Sequence, residues 1–460
     1  MMNCDPPATN LKDAYNAVLL DPLQSGDPRW VDCSRVRGGT DVVGLLALRI
    51  EGSSRSTAQL ISGHRGCGKS TELLRLANRL EREKFLVVYF AADDDIDMGD
   101  LVYTDLLLSI IKRLERTLSE KGIKIDERLS KGILMWFAEV VYGWKDEAVM
   151  EAALKTEFEL GLNAPAPLPI IAKLLARITG QIKTGHEIRK EIRLSLDPQI
   201  YPLIERINEF IRAALPEIKK KGYQDLVLII DNLDRIVLRV LDEKTGRTTQ
   251  DALYLEHAEQ LKALDAHIVY TVPISMFYSL KATQLAGAFP NYEILPMIKV
   301  EEQNGSPCRE GIDLLSDVAG KRIYVESLFQ KGVVDFLAEK SGGMLRDFIR
   351  LLGYTVELAQ AEGGKIPISK KPAEKAFRRL INEYGRMVPD EHFELLAKVA
   401  KNKQVRNDTK HQAMLYNLSV LEYMNGDRWC DVHPAVRELS EFKNAWSKLS
   451  KPANEGESSG

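Results

Sequence analysis

Cysteine is scarce in this sequence, and what there is does not pair. Cys4, Cys33, Cys67, Cys308 and Cys430 stand far apart with no C-x-x-C spacing. That excludes a disulfide frame or a zinc site and points to free thiols in a reducing compartment. Long apolar runs are missing too: no window of about 18 uncharged apolar residues occurs, so no membrane-spanning helix is expected. Met1 to Asn10 lack a basic stretch followed by an apolar core, so no secretory leader is expected and a cytoplasmic location is. Charge of one sign is also lacking, with 63 Lys plus Arg against 66 Asp plus Glu and a net charge of −3. Nothing global argues for nucleic acid or an anionic membrane, although a local basic patch can hide in such an average. No His/Cys or Ser/His/Asp set sits in a catalytic context, so no nuclease or protease is read in the chain.

What is present is an ordinary globular composition, 45% hydrophobic and 28% charged over 460 residues, enough for several domains with a substantial core. One stretch organises the rest. Gln59–Ser62 is an apolar strand running into Gly63-His64-Arg65-Gly66-Cys67-Gly68-Lys69-Ser70, followed by Thr71 and a helical pattern from Glu72 to Leu80. Strand, G-x-x-x-x-G-K-S loop and helix together define a phosphate site. Gly63, Gly66 and Gly68 permit positive φ, so backbone N–H groups turn onto phosphate oxygens. The helix N-terminus adds partial positive charge. Lys69 is placed to reach the β- and γ-phosphates and Ser70 to ligate Mg²⁺. The ligand expected is a nucleoside triphosphate, ATP in the reading below. Cys67 reads as a small residue tolerated in the loop, with a thiol pKa lowered by the helix terminus as the alternative.

Further strands follow. Phe85–Phe90 is apolar throughout, as in a strand buried on both faces of a parallel sheet. Asp93-Asp94-Asp95 after it reads as a solvated strand end and cap ahead of a helix over Gly99–Lys121. Residues 122–200 form a helical insertion broken by Ala164–Pro169, and Ile170–Arg193 reads as one helix, packed on the core or a partner before a membrane surface. Leu226–Ile230 ends in Asp231-Asn232-Leu233-Asp234, with Asp231 where a P-loop enzyme needs a carboxylate for its Mg²⁺ shell. His267–Pro273 is the fourth strand, with Thr271 near its end, and Tyr292–Pro296 the fifth. The order predicts an α/β fold: a three-layer P-loop core with a mostly parallel sheet. Residues 1–40 are expected to be an extended, turn-rich segment, 41–310 the core, 311–385 a helical lid, and 386–446 a winged-helix-like module. That module has helices at Glu391–Asn402 and Gln412–Glu422, an Asn425-Gly426 hairpin and a helix at Pro434–Phe442. Residues 447–460 are expected to be disordered.

The phosphate loop, the strand ending Asp231–Asp234, Thr271 at a strand end, and Gly342-Gly343-Met344-Leu345-Arg346 on a helical lid stand in order. That series resembles the AAA+ superfamily, and within it the STAND and initiator-like branches. Arg35-Val36-Arg37-Gly38 is similar to the arginine–glycine box through which those proteins hold adenine. From roughly residue 20 to 440 the chain is similar to a set of bacterial single-chain ATPases, on the Asp27–Asp32 entry, the loop, Tyr270–Pro273 and Trp429–Pro434. The resemblance implies that Lys69 and Ser70 bind phosphate and Mg²⁺, Asp231 completes the metal shell, Thr271 is a first γ-phosphate sensor and Arg346 a second one on the lid. It also implies a regulatory ATPase that self-assembles and acts through a separate effector protein, in bacterial conflict or phage defence. Two departures qualify it. Asn232, not Glu, follows Asp231, leaving Asp234 as the candidate base; and Glu256–Asp265 holds no arginine finger. Both imply slow hydrolysis and a switch. The alternative is a DNA-binding initiator or loader, supported by the winged-helix-like end and Lys401–Arg406. A GTPase or small-molecule kinase is disfavoured, since no N-K-x-D motif or acceptor site is found. Arg350, one turn after Arg346, reads as its partner on one helix face or as a salt bridge, and His433 as a cap before Pro434.

Overall fold

The computed structural model describes residues 7–146, 148–150, 152 and 170–450. The Ala164–Pro169 break, Cys4 and residues 451–460 of the expected disordered tail lie outside them. Helix α1 (Leu11–Ala17) opens the chain, capped by the Asn10 side chain on Asp13 N–H, where an extended segment was expected. A strap follows to α2 (Val42–Glu51) and β1 (Ala58–Gly63), then α3 (Lys69–Arg82) and β2 (Leu86–Ala91). Helix α4 (Tyr103–Glu120) leads into the insertion, which holds α5 (Glu127–Tyr142), α6 (Ile170–Thr184) and α7 (His186–Leu196), and α8 (Ile200–Lys220) leads back to the sheet. The single helix expected over 170–193 is two, parted at Gly185. Next come β3 (Leu226–Asp231), β4 (His267–Pro273) and β5 (Tyr292–Leu295). Ahead of β4 lie a π-turn, Ala252–Glu256, and a short α-helix, Ala258–Lys262.

The five strands pair in the order β2-β3-β4-β1-β5, every pair parallel. Alternation explains the three layers. Leu60, Val88, Phe90, Leu228, Ile230 and Tyr270 join the insertion helices in one apolar cluster. Ile61, Val87, Val227, Ile229 and Val269 join α2 and α3 in another. Both faces are covered, as an all-parallel sheet requires. Leu174, Leu175 and Ile178 of α6 are buried in the first cluster, so that stretch packs on the core. β4 lies between β1 and β3, and the carboxyl ends of all three meet at one edge, where α/β sheets bind ligands.

The stretch expected to be a lid holds α9 (Arg309–Gly320), α10 (Val333–Lys340), α11 (Leu345–Ala361) and α12 (Lys370–Gly385). Between α10 and α11 the chain needs glycine. Gly343 has φ 76°, and a Cβ there would lie 1.7 Å from the Ile298 carbonyl oxygen. This close approach aims the start of α11 at the phosphate loop. The C-terminal part is α13 (Phe393–Asn402), α14 (Thr409–Tyr416), the antiparallel hairpin β6 (Val420–Asn425) and β7 (Asp427–Val432), and α15 (Ser440–Ser450). Gly426 at φ 75° makes the turn, as Asn-Gly implied. Three expectations fail in detail here. The helix begun near Gln412 stops at Tyr416; Pro434–Phe442 splits into Pro434–Arg437 and α15; and residues 447–450 are helical. The ribbon is not a free wing: Leu421, Tyr423 and Trp429 are buried in the cluster that contains Ile61 and Leu73.

Candidate active site: a triphosphate pocket closed by strap and lid

Gly63, Gly66 and Gly68 adopt φ 146°, 87° and 106°, so the loop turns as its spacing demands and delivers the chain to the N-terminus of α3. Lys69, only 6% exposed, curls back beneath the loop. Its Nζ donates to the carbonyls of Gly63 at 2.8 Å and His64 at 3.0 Å and pairs with Asp234 Oδ2 at 2.9 Å. Burial alone would discharge the ammonium, but Asp234, with Cys67 and Asp231 behind it, outweighs burial and holds its pKa above the usual lysine value. Asp231 ends β3 almost fully buried. Burial pushes its carboxyl up and Asp234 adds to this, against hydrogen bonds from the Ser70 side chain, the Asn232 N–H and the Tyr89 hydroxyl. Ser70 and Asp231 thus stand in contact, as a shared Mg²⁺ shell requires. Among the described residues no group of three or more His, Cys, Asp or Glu side chains gathers to hold a metal. Mg²⁺ here would share its shell with phosphate oxygens and water, its usual habit.

A cavity of about 190 Å³ opens above the loop. Of the residues singled out in the sequence, Arg37, Arg65, Gly66, Gly68, Lys69, Ser70 and Thr71 line it from the loop side. Asp231, Asn232 and Asp234 line it from β3, and Arg346 from the lid. Gly63, His64 and Cys67 do not line it; Cys67 is buried in the apolar cluster under the loop, the small-residue reading. Arg37 extends to the loop and donates Nη2 to the Cys67 carbonyl at 2.5 Å, so it braces the loop. Thr71 accepts from Leu23 N–H at 3.1 Å and ties the strap to α3.

Thr271 departs from its expected role. Its hydroxyl accepts from Leu233 N–H at 2.8 Å and donates to Ile230 O at 3.3 Å, fully buried and away from the cavity lining. It shapes the turn that carries Asp231 and Asp234. Asn232, at φ 63°, donates Nδ2 to Asp93 Oδ1 at 2.8 Å, and Arg235 pairs with the other Asp93 oxygen at 2.6 Å. The sequence reading missed Asp93 as a support of this turn. The signal was its place just past β2, the strand next to β3. Asp95, expected at a solvated strand end, is buried between Lys112 and Arg113.

Arg346 stands in the first turn of α11. Its N–H donates to Gly66 O at 3.1 Å. Its guanidinium lines the cavity with no hydrogen bond or ion pair among the described residues, while burial, reinforced by Arg235, depresses its pKa. Arg350 instead pairs with Asp347 and Glu383. His433 caps the helix after it, accepting from Ala435 N–H at 3.1 Å. Unneutralised positive charge is therefore concentrated where a triphosphate would lie, at Arg346 and the α3 N-terminus, with Lys69 available on exchanging its carboxylate partner. The residues fit the group.

The loop also reaches the C-terminal hairpin, which no local motif announced. His64 Nε2 accepts from Glu422 N–H at 2.8 Å, and Arg65 lies 4.4 Å over the Tyr416 ring. Burial, with Lys69 adding to it, pushes the His64 pKa down to about 3. Unfolded, this histidine takes a proton below about pH 6.5; folded, it does so only near 3. Its stabilisation is complete above 6.5 and is lost as pH falls toward 3, at up to ~1.4 kcal/mol per pH unit. His64→Gln keeps an acceptor without that titration. Urea midpoints at pH 7.5 and 5.0 should differ less for the variant than for the wild type; equal differences would disprove the assignment.

Sheet order, glycine loop and strand-end carboxylate define a three-layer P-loop α/β fold. Among solved structures, the chain is similar to the Aeropyrum pernix ORC1 protein in complex with DNA, at 14% identity over 94% of this chain and 96% of that one, TM-score 0.37. It is similar to the ADP form of the Aeropyrum pernix ORC2 protein, at 13% identity over 95% and 98%, TM-score 0.40, and to a Walker-type ATPase of Pyrococcus abyssi, at 12% over 91% and 98%, TM-score 0.40. No family model and no curated protein matches the sequence. The reading of the site rests on its own geometry.

Proposed function

We propose that this protein is an ATP-binding, Mg²⁺-dependent regulatory ATPase of the AAA+ superfamily, of STAND type, that hydrolyses slowly and uses the γ-phosphate to set the position of its lid. The observation that carries this reading is the convergence of Lys69, the Ser70–Asp231 pair and the unpaired Arg346 of the lid on one cavity. Arg346 gains a partner only when anionic oxygens fill the space, so triphosphate favours one lid position and its hydrolysis releases it. Asp234 is the candidate base and is tied to Lys69 until phosphate displaces it. Asn232, bonded to Asp93, is turned to a supporting role, in keeping with slow turnover. Self-assembly in the ATP state and a separately encoded effector, in bacterial conflict or phage defence, complete the proposal; these rest on resemblance alone.

The DNA-binding alternative has less support. Of the expected basic patch, Lys403 is engaged by Asp431, and the hairpin exposes little beyond the Asn425–Arg428 tip. The test is mass photometry of the wild type with no nucleotide, with ADP, and with a non-hydrolysable ATP analogue plus Mg²⁺. Assembly with the analogue alone is the expected result. A protein that binds the analogue without changing size, and that binds duplex DNA with steep salt dependence, would overturn the assembly reading in favour of the loader.

A further inference from the structure

The phosphate-binding residues account for only one end of the cavity. Beyond them its walls are the strap around Leu20 and Val31 and the lid residues Val318 and Ile349, an apolar lining interrupted by Asp21, Arg29, Trp30 and Arg322. Trp30 and Arg322 have surface that the protein does not use. The Arg75 guanidinium covers one face of the Trp30 ring at 3.9 Å from its centroid, and the half-buried ring still lines the cavity. Arg322, 8% exposed, donates Nη1 to Val318 O at 2.9 Å and to Arg29 O at 3.3 Å, which sets it beside Trp30. Its Nε is enclosed without a partner, and among the described residues Asp27 acts on it only from beyond ion-pair distance, bound to Arg29 instead. Burial, with Arg29 adding to it, depresses its pKa to about 10. A cation so enclosed and unpaired carries a desolvation penalty that an arriving partner relieves. A flat ring with in-plane acceptors meets both demands, offering a face to the indole and lone pairs to the guanidinium.

We propose that Trp30 and Arg322 recognise the purine base of the nucleotide, Trp30 as the stacking platform and Arg322 as donor to a ring nitrogen. The proposal rests on the cavity being an ATP site and moves base recognition away from Arg37, which braces the phosphate loop. A purine is favoured over a pyrimidine because it offers the indole the larger stacked area. The experiment compares affinities for ATP and for inorganic tripolyphosphate, which has the charges but no base, in the wild type, Arg322→Met and Trp30→Leu. Each variant should bind ATP at least tenfold more weakly and tripolyphosphate within twofold of the wild type. Trp30→Phe, which keeps an aromatic face, should recover most of the ATP affinity. Equal losses for both ligands would make these residues phosphate or folding elements and overturn the proposal, as would ATP affinity unchanged in both variants. A wild type that binds neither ligand would remove the ATP site itself, a result distinct from either of those.

Discussion

Lys69→Ala should bind ATP at least about 100-fold more weakly than the wild type, roughly 3 kcal/mol, and show no measurable hydrolysis. Two effects act in the same direction. The ammonium that would meet the β- and γ-phosphates is gone, and Asp234, 2.9 Å from it in the intact site, is left as an uncompensated buried charge facing them. Breaking a buried pair by removing one partner costs about 3–5 kcal/mol, so the variant should also unfold at lower urea. Lys69→Ala with Asp234→Asn separates the two effects. The double variant should recover much of the lost stability and little of the ATP affinity, since neutralising Asp234 removes the repulsion without restoring the cation. Titration with a fluorescent ATP analogue and urea melts read both quantities. ATP affinity within threefold of wild type in the single variant would show that Lys69 is a structural lysine and that the cavity binds something else.

The second large effect is at Asp231. Asp231→Asn preserves shape but removes the charge and one of the two acceptor oxygens, and hydrolysis should fall by ~10²–10³-fold, the scale seen when one charge-stabilising group leaves an active site. The sign of the binding change is the more telling result. Without Mg²⁺, the carboxylate repels the triphosphate, so the variant should bind metal-free ATP as well as the wild type or better. With Mg²⁺, the wild type gains affinity and the variant gains much less. Because burial disfavours the ionised form of Asp231, the variant should be no less stable in urea. Equal Mg²⁺ enhancement in both proteins would take Asp231 out of the metal shell.

The parts of this site that follow short-range rules were legible in the sequence. The loop glycines, Lys69 and Ser70 are fixed by backbone geometry within a dozen residues, and a buried aliphatic run ending in acid identifies β3 wherever it lies. Arg346 could be read because paired glycines place it at a helix start. What failed depends on the third dimension. Thr271 stands at a strand end in one dimension, but β4 is flanked by β1 and β3, so its hydroxyl meets the Leu233 amide before it can meet a ligand. Asp93 and Asn232 are 139 positions apart and adjacent in space, because β2 and β3 pair in parallel register with Ala91 opposite Asp231. α1 was missed because seven residues show too little periodicity to outweigh the turn-rich strap after them. The helix begun near Gln412 was overextended because Val420–Glu422 continues an apolar pattern whose strand identity comes from pairing with Cys430–Val432.

The bond from His64 to Glu422 joins positions 358 residues apart, and the face it anchors, with Leu421, Tyr423 and Trp429, seals the apolar underside of the loop. A ribosome that has translated the first 385 residues has already released every residue proposed here to touch ATP, yet the loop beneath the nucleotide still lacks its floor. Translation of the hairpin supplies it. Nascent chains stalled before that point would expose an apolar patch beneath the glycine loop, so any nucleotide affinity is expected to appear with the last ribbon and not with completion of the sheet.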